Sequence, residues 1–68
     1  MHIFEIFIPV ETMSALQASS HIIRLSTRHG VEPLGVVGLL AITALVEVDF
    51  VKLRFWKQVA GEIVAAAA

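Results

Sequence analysis

The sequence predicts a mainly α-helical fold, a small three-helix bundle that carries a short apolar arm at its N-terminus. Two segments place apolar residues at helical spacing, and an uninterrupted apolar run from Pro33 to Val46 lies between them. A chain of 68 residues forms at most one domain, here residues 1–68, and buries only about 60% of the surface that it exposes when unfolded. We therefore expect an oligomeric bundle.

The composition also indicates that part of the surface is covered by something other than water. Hydrophobic residues make up 57% of the chain and charged residues 16%, whereas ordinary globular domains are about 45–50% apolar. The net charge of -1 gives no electrostatic footprint for nucleic acid. The absence of cysteine excludes disulfides and thiol nucleophiles.

Residues 1–9 predict an extended arm or strand. β-branched and aromatic side chains surround the single charge of Glu5, and the run ends at Pro9. A lone strand beside helices needs a partner, so we expect it to pair with a second copy or to lie across a neighbouring chain. The apolar side chains of this arm are Ile3, Phe4, Ile6, Phe7 and Ile8.

The first predicted helix covers residues 11–29. Glu11 and Thr12 suit a first turn, and Gly30 suits the position just after the last turn. One apolar stripe consists of Met13, Leu16 and Ile23, widened by Ala15, Ala18, Ile22 and Leu25. This pattern is typical of an amphipathic helix.

The second predicted helix, residues 33–47, is apolar on all sides apart from Thr43. Such a helix is either buried by other helices or embedded in a bilayer. Residues 33–46 extend over about 21 Å as a helix, whereas a hydrocarbon core is about 30 Å thick. Because the flanking helices are amphipathic, we expect them to cover the second helix in a water-soluble bundle. A membrane location remains the alternative, with Lys52, Arg54 and Lys57 as a positively charged flank.

The third predicted helix covers residues 50–66, with Asp49 as its N-cap. Its predicted apolar face consists of Phe50, Leu53, Trp56, Ala60 and Ile63, with Val59 and Val64 beside it. Phe55 cannot share a face with Trp56, so we expect it to contact another chain. The candidate interaction surface therefore consists of Ile3, Phe4, Ile6, Phe7, Ile8 and Phe55.

A resemblance to a known group adds little about activity. The order "RHG" at Arg28–Gly30, an apolar helix, an acidic turn at Asp49 and then "FW" resembles small uncharacterised helical proteins of alphaproteobacteria. The resemblance covers roughly residues 18–64 and implies no function. The chain departs from that pattern at "VEVD", where a glycine is expected before the aspartate.

No group of residues predicts catalysis, a metal or a cofactor. His21 and His29 lie eight residues apart, about 12 Å along a helix, which is too far for one metal ion. The serines lack a nucleophile elbow, and "GVVG" inside an apolar helix lacks the lysine of a phosphate-binding loop. A ribbon-helix-helix DNA-binding protein needs base-reading side chains on its strand, and neither face of residues 2–8 offers them.

The sequence therefore predicts a non-catalytic helical module that self-associates or binds another protein, without nucleic acid and without a cofactor. We expect a cytoplasmic location. The alternative is a small single-span subunit of a membrane protein complex, in the inner membrane.

Overall fold

A computed structural model describes residues 13–67, which form three α-helices joined by short turns. Helix α1 covers Ala15–His29, α2 covers Pro33–Val46, and α3 covers Phe50–Ala67. The predicted mainly α, three-helix fold is confirmed for this part of the chain, which contains no strand. The predicted arm, residues 1–9, lies outside the described residues.

Helix α1 begins at Ala15, later than the predicted residue 11, because Ser14 has extended backbone and caps the helix. The Ser14 hydroxyl accepts a hydrogen bond from the Gln17 backbone N–H at 3.2 Å. The Gln17 side-chain oxygen accepts one in return from the Ser14 N–H at 3.3 Å. This reciprocal arrangement, a capping box, satisfies two N–H groups that the helix leaves without partners.

Helix α1 ends as predicted, at a left-handed Gly30 with φ 68°. The Val31 N–H donates to the Ser26 carbonyl at 2.9 Å, and the Gly30 N–H donates to the Thr27 carbonyl at 3.3 Å. These two bonds form a Schellman motif. Pro33 then occupies the first turn of α2, as predicted, and the Glu32 carboxylate accepts a hydrogen bond from the Leu34 N–H at 3.4 Å.

The turn between α2 and α3 repeats the Schellman geometry without a glycine. The Asp49 N–H donates to the Ala44 carbonyl at 2.9 Å, and the Val48 N–H donates to the Leu45 carbonyl at 3.0 Å. Val48 therefore takes the left-handed position, with φ 56°. This is the position before the aspartate at which the resemblance in sequence leads one to expect glycine.

Helix α3 is the element that both other helices pack against, while α1 and α2 contact each other least. Asp49 caps α3 as predicted, since its carboxylate oxygen accepts a hydrogen bond from the Lys52 N–H at 3.0 Å. The core forms where α3 meets its two neighbours. Its buried side chains are Ala18, Ile22, Val37, Leu40, Ala44, Trp56, Val59 and Ile63.

Several predicted positions differ in the structure. Helix α2 was expected to be the covered central helix, but α3 takes that place and α2 buries only one side. Leu16 and Phe50, both predicted to face the core, are 63% and 59% exposed. Ser19 is buried instead, and its hydroxyl donates to the Leu16 carbonyl at 2.7 Å, so a polar side chain is tolerated there.

Candidate interaction surface

The outer side of α2 is an exposed apolar helix face. Val37, Leu40 and Ala44 point into the core, and the opposite side of the helix carries residues at spacings of four, three and four. We call these four residues the α2 face: Gly35, Leu39, Ile42 and Val46. Leu39 is 68%, Ile42 59% and Val46 77% exposed. This spacing is that of the a and d positions of a coiled-coil seam.

The α2 face has no polar group that requires water. Thr43 lies beside it, but its hydroxyl donates to the Leu39 carbonyl at 2.9 Å within the helix, so this hydrogen-bonding group is already satisfied. Gly35 and Gly38 leave the backbone open on this side. A Cβ added at Gly38 would meet no atom within 4 Å, and one at Gly35 would make only ordinary contact with Glu32. The face therefore suits close approach by another helix.

Exposed apolar residues continue from the α2 face through the following turn into the first two residues of α3. Val48 is 66%, Phe50 59% and Val51 80% exposed. Monomeric soluble proteins rarely expose contiguous apolar patches larger than a few hundred Å². Most of the exposed large apolar residues of the described chain thus lie on α2, in the turn that follows it and at the start of α3.

Charges lie only at the two ends of α2. Arg28 lies in the last turn of α1, Glu32 caps the start of α2, and Glu47 follows the last residue of α2. Glu47 therefore lies at the negative end of the α2 dipole, which is an unfavourable location for a carboxylate.

Phe55 is half-buried in the structure. Its ring packs edge-to-face on that of Trp56, with centroids 5.0 Å apart and an interplanar angle of 73°. The ring also packs against the core, while Trp56 is buried as predicted. The rest of the predicted surface, Ile3, Phe4, Ile6, Phe7 and Ile8, lies outside the described residues. A contact between Phe55 and another chain stays a prediction.

Two shallow grooves on the other helices have mixed linings. One on α1 is lined by Met13, Leu16, Gln17, Ser20, His21 and Arg24. One on α3 is lined by Phe50, Leu53, Arg54, Lys57 and Gln58. Among residues 13–67, no group of three or more histidine and carboxylate side chains could hold a metal ion. Ser14 and Asp49 serve as helix caps.

None of the described helices is by itself long and apolar enough to cross a bilayer. Helices α1 and α2 are long and apolar enough only when taken together, and they are bent by 118° at the break between them.

The α2 face was not identified from the sequence, because an all-apolar helix has no polar side to show which way it faces. The 4-3-4 spacing of Gly35, Leu39, Ile42 and Val46 was visible, but so was the 3-4 spacing of Val37, Leu40 and Ala44. Both sets mix small and large apolar residues, so side-chain size does not separate them either.

Comparison of the chain with protein-family models, with curated proteins and with solved structures finds no match. The resemblance to small helical proteins of alphaproteobacteria therefore stays a prediction.

Proposed function

We propose that this protein is a non-catalytic interaction module that associates with protein through the α2 face. The observation that carries the proposal is the exposure of Leu39, Ile42 and Val46 on a helix with no ionisable residue. Burial of such side chains contributes about 25 cal/mol per Å² of apolar surface. A partner that covers the face therefore gains from the hydrophobic effect without any cost of burying a charge.

The composition supports the same proposal for the whole chain. Ile3, Phe4, Ile6, Phe7 and Ile8 add five large apolar side chains to those that the described residues leave exposed. We propose that this N-terminal arm, together with Phe55, contributes a second contact with the partner. The proposed location is the cytoplasm, and neither nucleic acid nor a cofactor takes part.

The proposal is tested by light scattering during size-exclusion chromatography in detergent-free buffer. We expect the wild-type chain to elute with a mass above that of one chain, and Ile42→Lys to lower this mass. Gln58→Lys is the matched control, because it makes the same change of charge at an exposed polar position on α3. A wild-type chain that stays monomeric at every concentration and binds no protein would contradict the proposal.

Removal of residues 1–9 tests the contribution of the arm. We expect the shortened chain to show weaker association, or to aggregate because its partner surface is left uncovered. An unchanged sedimentation profile would show that the arm takes no part in the contact.

A second candidate function is a small subunit of a membrane protein complex, in which lipid or a membrane-embedded partner covers α2. The observation that favours it is the uncharged length of Pro33–Val46. A straight membrane-spanning helix that continues to residue 53 would require the turn at residues 47–49 to become helical. A monodisperse product at high concentration in plain buffer excludes this candidate.

A further inference from the structure

We infer that the N-terminal arm lies in the groove on α1 of its own chain, with Glu5 beside Arg24. The proposed function gives the arm a contact with the partner without locating it, so this inference adds to that function. Three observations favour the α1 groove: the place where the arm joins the described chain, the charges of the two segments, and their lengths. The α1 groove is lined by Met13, Leu16, Gln17, Ser20, His21 and Arg24.

The α1 groove begins where the arm joins the described chain. Met13, the first described residue, lines the groove and is partly buried against the core. Leu16, one turn further along, is 63% exposed although it belongs to the apolar stripe that the sequence predicts for α1. An apolar segment that runs along α1 from Met13 therefore covers apolar surface that the three helices leave open.

The charges of the two segments are opposite. The charged side chains of residues 1–12 are Glu5 and Glu11, both acidic. Helix α1 has no acidic residue, and the exposed Arg24 lines the groove together with His21. Glu11 precedes the N-terminal end of α1, where the helix dipole favours a carboxylate. An arm on α1 therefore brings unlike charges together.

The arm and the α1 groove also match in length. The four residues that separate Ile8 from Met13 are enough for a turn that reverses the chain. An extended chain advances about 3.3 Å per residue and a helix about 1.5 Å. With Ile8 beside Met13, Glu5 lies about 10 Å further along α1, level with the turn before Arg24. The Arg24 side chain points back over that turn, and Ile3 is level with the end of the groove.

The alternation of an extended chain determines which arm side chains contact α1. Successive side chains point to opposite faces, so Ile3 and Phe7 share a face with Glu5. When Glu5 is turned toward Arg24, Phe7 lies close to the level of Leu16. The arm thus places its mixed face on a mixed groove and leaves an uncharged face for the partner. This outer face consists of Phe4, Ile6 and Ile8.

Charge reversal in the 68-residue chain tests this placement. Glu5→Lys and Arg24→Glu should each lower the melting temperature by about 2–4 °C, the size of shift that loss of an exposed ion pair causes in a small domain. The double variant exchanges the two charges and should recover most of the loss. Because the contact lies within one chain, the recovery should be the same at every protein concentration.

Arg54→Glu combined with Glu5→Lys is the control. Arg54 is exposed and lines the comparable groove on α3, together with Phe50 and Leu53. It therefore offers the arm the same kinds of side chain at a different place. The losses of these two variants should add without recovery, because their sites do not interact.

Three results would overturn the inference. Additive losses for Glu5→Lys and Arg24→Glu would show that the arm does not lie in the α1 groove. Recovery in the control pair would place the arm on α3, and recovery that disappears on dilution would place it on α1 of a second copy. Failure of the proposed function is a separate result: a chain that associates without recovery retains that function, and a monomeric chain with recovery retains the inference.

Discussion

At the scale of single residues, Val48 has a backbone conformation that its side chain disfavours. It is the only non-glycine residue with positive φ among residues 13–67, and β-branched residues are rarely found there. The left-handed conformation costs an L-residue roughly 1–2 kcal/mol. The two backbone hydrogen bonds of the turn and the cap by Asp49 offset this cost.

Val48→Gly is therefore expected to stabilise the protein. Glycine adopts the left-handed conformation without strain but loses more entropy on folding, so we expect a net gain of about 0.5–1 kcal/mol. Urea unfolding followed by circular dichroism measures the change. Val51→Gly, at an exposed position in the first turn of α3, is the control and should destabilise by roughly 0.3 kcal/mol, because glycine is a poorer helix former than valine. Equal losses in the two variants would contradict the assigned turn.

The cap of α1 gives a second prediction at the same scale. Ser14→Ala removes the hydroxyl that accepts from the Gln17 N–H, and its expected cost is about 1 kcal/mol. Ser20→Ala, at an exposed position in the middle of α1, is the matched control and should leave stability unchanged or slightly higher. Thermal unfolding of the two variants separates them. If both behave alike, Ser14 does not cap the helix.

At the scale of helices, α3 holds the fold together because it packs on both α1 and α2. Only one side of α3 packs on the other helices at its C-terminal end. Ile63 is 5% exposed there, whereas the adjacent Val64 is 55% exposed. Neighbouring positions of similar chemistry therefore lie on opposite sides of the core boundary.

Ile63→Ala and Val64→Ala should consequently differ strongly. Loss of a buried isoleucine side chain costs about 2–5 kcal/mol, because it removes apolar burial and leaves a cavity. The change at Val64 should stay within about 0.5 kcal/mol. Chemical denaturation of both variants provides the comparison. Similar losses would mean that the face of α3 that packs on α1 and α2 has been misassigned.

Most helix ends could be predicted from sequence because local chemistry determines them, although α1 was predicted to begin at residue 11 and begins at Ala15. Gly30, Pro33 and Asp49 each act through a backbone group within a few residues, and the structure places all three as expected. The order of packing could not be predicted in the same way. Which helix is central depends on how three apolar faces share a core, and no local signal in α2 distinguishes its buried side from its exposed one.

In the candidate interaction surface, too, local arguments and tertiary arrangement differ in what they predict. Phe55 was selected because it cannot share a face with Trp56, a local argument, and the structure shows it half-buried. Leu39, Ile42 and Val46 were missed because their exposure follows from the position of α2 at the edge of the bundle. Tertiary arrangement, rather than composition, determines which part of the apolar excess reaches the surface.

At the scale of the whole molecule, the central claim is that a second chain covers the apolar surface that one chain leaves exposed. Association that accompanies the folded state raises its stability by mass action, so the melting temperature depends on protein concentration. A monomeric domain shows no such dependence. The concentration dependence of the melting temperature therefore distinguishes an associating chain from a stable monomeric bundle, whichever surface makes the contact.

The most direct test is thermal unfolding of the wild-type chain in detergent-free buffer over about a hundredfold range of concentration. We predict that the melting temperature rises with concentration, and that Ile42→Lys weakens this dependence while Gln58→Lys preserves it. A wild-type melting temperature that is the same at every concentration, together with the sedimentation mass of a single chain, would contradict the account.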